Sequence, residues 1–266
     1  MLQKKVVSPY LLSRCRRFLA QDPILNVLTL GDSYSPLFGM STLYAAVEGS
    51  QLVGVCSVFH AFSRPSIVLA ASTTGIKNAL LKSALKEVSD DFISLCQPDE
   101  TEIFENYSTI LQARFEQQMV ANSLKQIKNS NIKVSQVRKV ELENLDKFYR
   151  EQKSEAWTKV QFRVGPFFCV KQDDKIVSAA GTQLKTPQIA HIGNIVTDEA
   201  YRNRGFATVC TSTLAADLSS KGRVVSLFVR TENKPAIKIY EKIGFKRIRD
   251  VVSITAKKVK NQKDKL

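Results

Sequence analysis

The stretch that most constrains this chain runs from Ile189 to Lys221. There an apolar, β-branched segment (IAHIGNIV) meets the turn YRNRGFA and passes at once into ATVCTSTLAADLSSK, whose apolar residues recur at helical spacing. A strand, a basic glycine turn and a helix in direct succession predict one βα unit of an α/β domain. The unpaired N–H groups of a helix's first turn, with the positive end of its dipole, make such a turn an anion site. Gly205 lets the backbone approach a phosphate, Ala207 is small where a ligand must pass, and Arg202 and Arg204 add charge-assisted donors. A glycine turn after a strand is also an ordinary connection, so this reading needs support from elsewhere in the chain.

The flanking sequence supplies the rest of an α/β pattern. PFFCV (Pro166 to Val170) and IVSAAGTQL (Ile176 to Leu184) read as a hairpin joined by the polar KQDDK, and VVSLFV (Val224 to Val229) reads as a strand buried on both faces. Asn233 offers a helix N-cap, Pro235 fits the first turn, Ala236, Ile237, Tyr240 and Ile243 form one face, and Gly244 stops the helix. FKRIRDVVSIT closes as a strand or hairpin. A fainter version of the same order precedes it: strands at Thr42 to Val47, Leu52 to Phe59 and Ser66 to Ala71, a helix from Ile76 to Val88, a strand at Phe92 to Cys96, and a helix from Glu100 to Leu111. The expectation is a degenerate internal repeat. Its first copy lacks the basic turn, since ASTTGIK holds Gly75 and Lys77 but no arginine. The polar SLKQIKNSNIK, Ser123 to Lys133, reads as an inter-domain linker or exposed hairpin. The helix Glu143 to Gln152 and the segment around Trp157 are placed to roof a substrate cleft. The expected domains are 1–125, 134–256 and a basic tail, 257–266.

Composition narrows the function. No uncharged apolar run approaches the roughly 18 residues of a membrane span, and arginines occupy the place of a signal peptide's apolar region, so a cytoplasmic protein without a membrane partner is expected. Five scattered cysteines without metal-ligand spacing, and only two histidines, argue against a metal. The net charge of +14 favours anionic partners. Because the lysines are dispersed and lack interleaved aromatics, nucleic acid is a weaker expectation than a polyphosphate cofactor.

The basic turn gains weight from a second motif. Arg202, Asn203, Arg204, Gly205, Phe206 and Ala207 reproduce the signature Arg/Gln, two residues, Gly, one residue, Gly/Ala, with Val196 at the preceding strand end. Asn233, Ala236, Tyr240, Gly244 and Phe245 follow in order and spacing. Here the chain resembles the GNAT superfamily of N-acetyltransferases over about Pro166 to Thr255, and more finely the branch of glycine N-acyltransferase-like proteins with an added N-terminal half. That resemblance implies a mixed twisted sheet flanked by helices, two tandem domains with the first degenerate, and acetyl-CoA or another short acyl-CoA as co-substrate. It places the backbone of Ile195, Val196 and Thr197 along the pantetheine arm and the amides from Arg202 to Thr208 around the pyrophosphate, with Asn233 and Tyr240 beside them. It gives Tyr240 the protonation of the leaving thiolate. The acceptor amine belongs to a small molecule or amino acid, with a protein or peptide amine, or a non-catalytic CoA- or nucleic-acid-binding module, as the other readings. The base is open. Some relatives have a glutamate where Ala190 stands, and His191, Asn194 and Glu155 are the candidates for the base or for orienting the amine. One coenzyme per chain is expected, the first half serving packing, substrate selection or contacts in a homodimer.

Overall fold

The computed structural model describes residues 2–6, 8–121 and 124–259. The chain forms two compact units: one runs to Glu116 and resumes at Asp250, and the other is Gln117–Arg249. The first contains β1 (Leu2–Lys5), α1 (Pro9–Leu19), α2 (Val27–Asp32), β2 (Ser41–Glu48), β3 (Gln51–Phe59), β4 (Ser66–Ala71), α3 (Thr74–Ala84), β5 (Asp91–Cys96) and α4 (Thr101–Glu105). Strands β1 to β4 are antiparallel neighbours in sequence order, and β5 lies parallel to β4. Strand β6 (Ser108–Ala121) begins in this unit and ends in the second.

The second unit continues with β7 (Val134–Gln136), α5 (Leu142–Glu151), β8 (Phe167–Gln172), β9 (Lys175–Lys185), β10 (Ile189–Thr197), α6 (Phe206–Ser219), β11 (Val224–Arg230) and α7 (Lys234–Ile243). Strands β7 to β10 are antiparallel neighbours, and β11 is parallel to β10. Strand β12 (Lys246–Lys258) starts in the second unit and finishes in the first, where Val252 lies opposite Cys96 of β5. Both units thus show antiparallel strands, a helix and a parallel strand, in that order. The tight turn between β8 and β9 holds Asp173 and Asp174 at φ 47° and 63°, the left-handed pair that two-residue hairpins favour.

Strand alternation gives the second unit two apolar faces. Val170, Ala180, Ala190 and Ile192 join α6 and α7 in one cluster, with Val209, Leu214, Tyr240 and Ile243. Their neighbours Cys169 and Ala179 instead join α5, through Leu145, Phe148 and Tyr149, in another. Helices therefore cover both sides of the strands that carry the site.

Three expectations change. Only Thr101–Glu105 of the span Glu100 to Leu111 is helical, and from Ser108 the chain is strand β6, whose partners lie far away in sequence. The segment 124–133 is packed on the core of the second unit: Leu124, Ile127 and Ile132 lie against it, and Lys125 donates its N–H to the Ile243 carbonyl at 2.8 Å. Its three apolar side chains hold it down, so it is no free linker, while Asn122 and Ser123 lie outside the described residues. Of the basic tail expected over 257–266, Lys257 and Lys258 end β12, and residues 260–266 lie outside the described residues.

Candidate functional site

Strands β10 and β11 pair only from Ile189 opposite Val224 to His191 opposite Ser226, although β10 runs on to Thr197 and β11 to Arg230. Beyond His191 the two parallel strands share no ladder pair among the described residues, so one edge of β10 from Ile192 to Thr197 is open. An open strand edge offers backbone N–H and C=O groups to any extended chain laid beside it. On its other edge this stretch stays tied to β9, with Val196 opposite Ala179 and Thr197 opposite Ser178, whose hydroxyls are 2.8 Å apart.

The open edge leads into the glycine turn. Asn203 and Gly205 both take left-handed φ values, 63° and 81°, and Gly205 is the N-cap of α6 without any side-chain capping bond. The first intrahelical bond runs from Val209 N–H to the Gly205 carbonyl at 3.2 Å, so the amides of Phe206, Ala207 and Thr208 precede the ladder. A Cβ on Gly205 would meet only Ile132 at 3.9 Å, so glycine is required here by its φ and not by crowding. Arg202 and Arg204 are exposed and turn back on the loop. Arg202 Nε donates to the Thr197 carbonyl at 3.4 Å, and the Arg204 guanidinium lies 5.2 Å from the Tyr201 ring centroid. The ensemble is a backbone anion cradle with two mobile-length cations at its rim.

Midway along the open edge β10 bulges. Between Gly193, opposite Gly181, and Val196, opposite Ala179, it advances three residues for two on β9. Asn194 sits in the bulge at φ 50°, a conformation that asparagine tolerates better than most residues. Two contacts hold it: Tyr149 Oη donates to the Asn194 carbonyl at 2.7 Å and Asn194 Nδ2 donates to Gln161 Oε1 at 2.8 Å, Gln161 being fixed in turn by donating its Nε2 to the Ala156 carbonyl at 3.1 Å. The side-chain oxygen of Asn194 is buried with no hydrogen-bond partner. A buried acceptor left unpaired costs about 1–3 kcal/mol, a state that it shares with other side-chain oxygens such as those of Thr29 and Thr211.

The other candidates are placed differently. His191 is 2% exposed, with Nδ1 2.9 Å from Ser226 Oγ and its ring 4.7 Å from that of Phe228; burial pushes its pKa down to about 3. Such an imidazole stays neutral and has little basicity to offer. Tyr240 is buried beside Phe245, in the cluster that includes Ile192 of β10, Val229 of β11 and Phe206 of α6, and burial raises its pKa well above 10. Asn233 spends its side chain capping α7, accepting from Ala236 N–H at 3.2 Å. Glu155 is exposed on the segment before Trp157. The Trp157 ring packs 4.6 Å from Tyr149 and 5.3 Å from Phe167, and its Nε1 donates to Asp146 at 3.0 Å.

Comparison with known proteins agrees with this geometry. Residues 171–254, which span the open strand edge, the turn and both following helices, match the family model described as FR47-like protein. No curated protein matches the chain in sequence. A structure from Drosophila melanogaster superposes with a TM-score of 0.72 at 10% identity, covering 97% of this chain and 98% of its own. A GNAT-family structure from Novosphingobium aromaticivorans gives 0.63 at 19% identity, over 89% and 97%. A tandem GNAT protein from the clavulanic acid biosynthesis pathway gives 0.61 at 11% identity, over 96% and 98%.

The chain therefore has the fold of the GNAT acetyltransferases. Likeness to a tandem member across 96% of the chain extends the GNAT fold to both units. Within this GNAT fold, Tyr149 and Gln161 are the residues that sequence reading missed. Thr158 and Gln161 form the reciprocal capping pair that opens the 3-10 turn Lys159–Arg163, and a Thr-x-x-Gln spacing ahead of an apolar run was the available signal.

Proposed function

We propose that the second unit is an acyl-CoA-dependent N-acyltransferase that transfers an acetyl or other short acyl group to a primary amine. The observation that carries this reading is the early end of the β10–β11 ladder, which leaves an open strand edge leading straight to a helix start with uncapped amides. A thioester-bearing chain that ends in a pyrophosphate needs both features at that spacing.

In this reading the backbone of Ile195, Val196 and Thr197 pairs with the pantetheine arm, and the amides from Arg202 to Thr208 take the pyrophosphate. Arg202 and Arg204 supply rim charge, and Asn233 contributes by fixing the start of α7 near the arm. The coenzyme supplies a thioester carbonyl that a free amine attacks directly, C–N bond formation being followed by C–S cleavage. Asn194 Oδ1 accepts an N–H of the incoming amine and orients its lone pair. Tyr240 remains a neutral phenol, donates its proton to the departing sulfur and is reprotonated by the proton that the amine nitrogen sheds as the amide forms. His191 is left out of proton transfer because its site holds it neutral, and with Ala190 where a glutamate would stand, the amine is taken in its free-base form. The first unit is a degenerate copy that binds no coenzyme.

Calorimetric titration with acetyl-CoA, paired with thiol release in pools of amines, amino acids and peptides, tests this reading. One coenzyme per chain is expected. With an active amine, kcat/KM should rise with pH towards the amine's own pKa, with no inflection near 6.5. A chain that binds no acyl-CoA would overturn it.

A further inference from the structure

A cleft of about 530 Å³ opens in the second unit between the end of β7, the turn Lys159–Arg163 with the residues that follow it, and the end of β9. Phe162 and Phe167 give it an apolar wall, and Arg138, Lys139, Arg163 and Lys185 bring four cations to it without one acidic lining residue. The nearby carboxylate, Glu141, is already engaged by Lys171 and, at 3.0 Å, by Arg138. Lys139, Arg163 and Lys185 have no ion pair among the described residues, and Arg223, whose Nε donates to the Thr186 carbonyl at 3.0 Å, adds further positive charge beside Lys185. Burial, then Arg223 and Lys221, hold the Lys185 ammonium below its usual pKa against the opposing pull of Asp217.

The position of this cleft separates it from the phosphate turn. Lys185 pairs with Ala190 at the start of β10, whereas the turn follows Thr197 at the other end, about 20 Å further along the strand. The cleft adjoins the bulge instead. Phe167 pairs with Gly181, which pairs in turn with Gly193, and the 3-10 turn that brings Phe162 and Arg163 to the cleft also brings Gln161 to Asn194.

We propose that this cleft receives an anionic group of the amine acceptor, so that the substrates are small amines carrying a carboxylate or a phosphate ester. The proposal rests on the acyltransferase reading for the word acceptor, but the anion site is a property of the cleft itself. With the amine at Asn194 Oδ1, the acid group of the same small molecule lies against Arg163 and Lys185. A guanidinium fork and an ammonium lining one cleft suit an anionic oxygen pair.

The test measures binding directly, at low salt, to the full chain with and without acetyl-CoA, using matched probes: β-alanine against propylamine, and O-phosphoethanolamine against ethanolamine. Each anionic probe is expected to bind at least about tenfold more tightly than its neutral partner, the size of one charge-assisted hydrogen bond. The relative strength of the two anionic probes then tells carboxylate from phosphate. The double variant Arg163→Gln, Lys185→Gln should abolish the preference and leave acetyl-CoA affinity unchanged. Equal binding of charged and neutral probes, a preference that survives in the double variant, or no binding of either anionic probe overturns the proposal. Failure to bind acetyl-CoA with anion preference intact would instead sink the acyltransferase reading and leave the anion site standing.

Discussion

The two units of this chain use the same strand–turn–helix step and leave it in opposite chemical states. In the first, β4 and β5 pair only at Ser66 opposite Ile93 and Ile67 opposite Ser94, so the parallel ladder stops early there too. Yet Thr73 caps α3 in an extended conformation, φ −123°, its hydroxyl accepting from Ile76 N–H, and Lys77 in the first turn is paired with Glu100, both side chains largely buried. In the second, Gly205 is left-handed and caps nothing with a side chain. A parted parallel pair is thus common to both units, and the second alone leaves its helix start without a side-chain cap, as the proposed phosphate site requires.

The units also differ in how they bury acid. Asp32 and Asp146 are each 8% exposed. Asp146 is met by Arg150 at 3.1 Å, Lys159 at 3.4 Å and Trp157 Nε1 at 3.0 Å. Asp32 accepts a 2.6 Å bond from Ser57 Oγ, and burial moves its pKa from 3.8 to about 7. A carboxyl whose pKa is raised on folding contributes most below the unfolded value, near pH 4, and that stability is lost as pH climbs through about 7. The loss approaches roughly 4 kcal/mol at most. Asp32→Asn, which keeps an acceptor for Ser57, should remove this slope and make the protein more stable than wild type at pH 8. Denaturant unfolding at pH 4, 6 and 8 checks it, and a difference between the two proteins that ignores pH refutes it.

The next effect is catalytic. Tyr240 on α7 has no tyrosine counterpart on α4, the short helix Thr101–Glu105. Tyr240→Phe is expected to lower kcat about 100-fold, the lower end of what a positioned proton donor supplies, with acetyl-CoA affinity held. Full turnover under conditions where chemistry limits the rate would reduce Tyr240 to a core residue.

Much of this contrast was legible in the sequence. Buried parallel strands read as uninterrupted apolar runs, Gly205 and Gly244 mark helix ends by left-handed conformations that few other residues adopt, and Asn233 marks one by its capping side chain. What escaped depends on distant partners. Ile103, Phe104 and Ile110 mimic a helical face, but Ser108 onward pairs with strands from much later in the chain. His191 has an intrinsic pKa suited to a base, and only the register that sets it opposite Ser226 shows that it is buried and neutral. The bulge at Asn194 likewise depends on Tyr149 and Gln161, which no local pattern links to it.

A smaller effect separates the two glycine turns. Gly205→Val forces a β-branched residue to φ 81°, at a cost of roughly 1–2 kcal/mol, so acetyl-CoA affinity should fall about tenfold or more. Gly75→Val meets no atom within 4 Å and no left-handed requirement, and should leave coenzyme binding untouched. Equal losses from the two changes would mean that both units contribute to one coenzyme site.

The smallest change asks whether the cap alone silences the first unit. Thr73→Ala removes the hydroxyl that accepts from Ile76 N–H and should cost about 1 kcal/mol of stability, seen as a small fall in the unfolding midpoint. It frees one amide, but position 73 keeps its extended φ, and Lys77 stays bound to Glu100 instead of facing a ligand. The stoichiometry of acetyl-CoA should therefore remain one per chain. A second coenzyme gained by Thr73→Ala would show that a single hydroxyl separates the two units, and that the left-handed glycine and the two arginines of the second add affinity to a site the fold already provides twice.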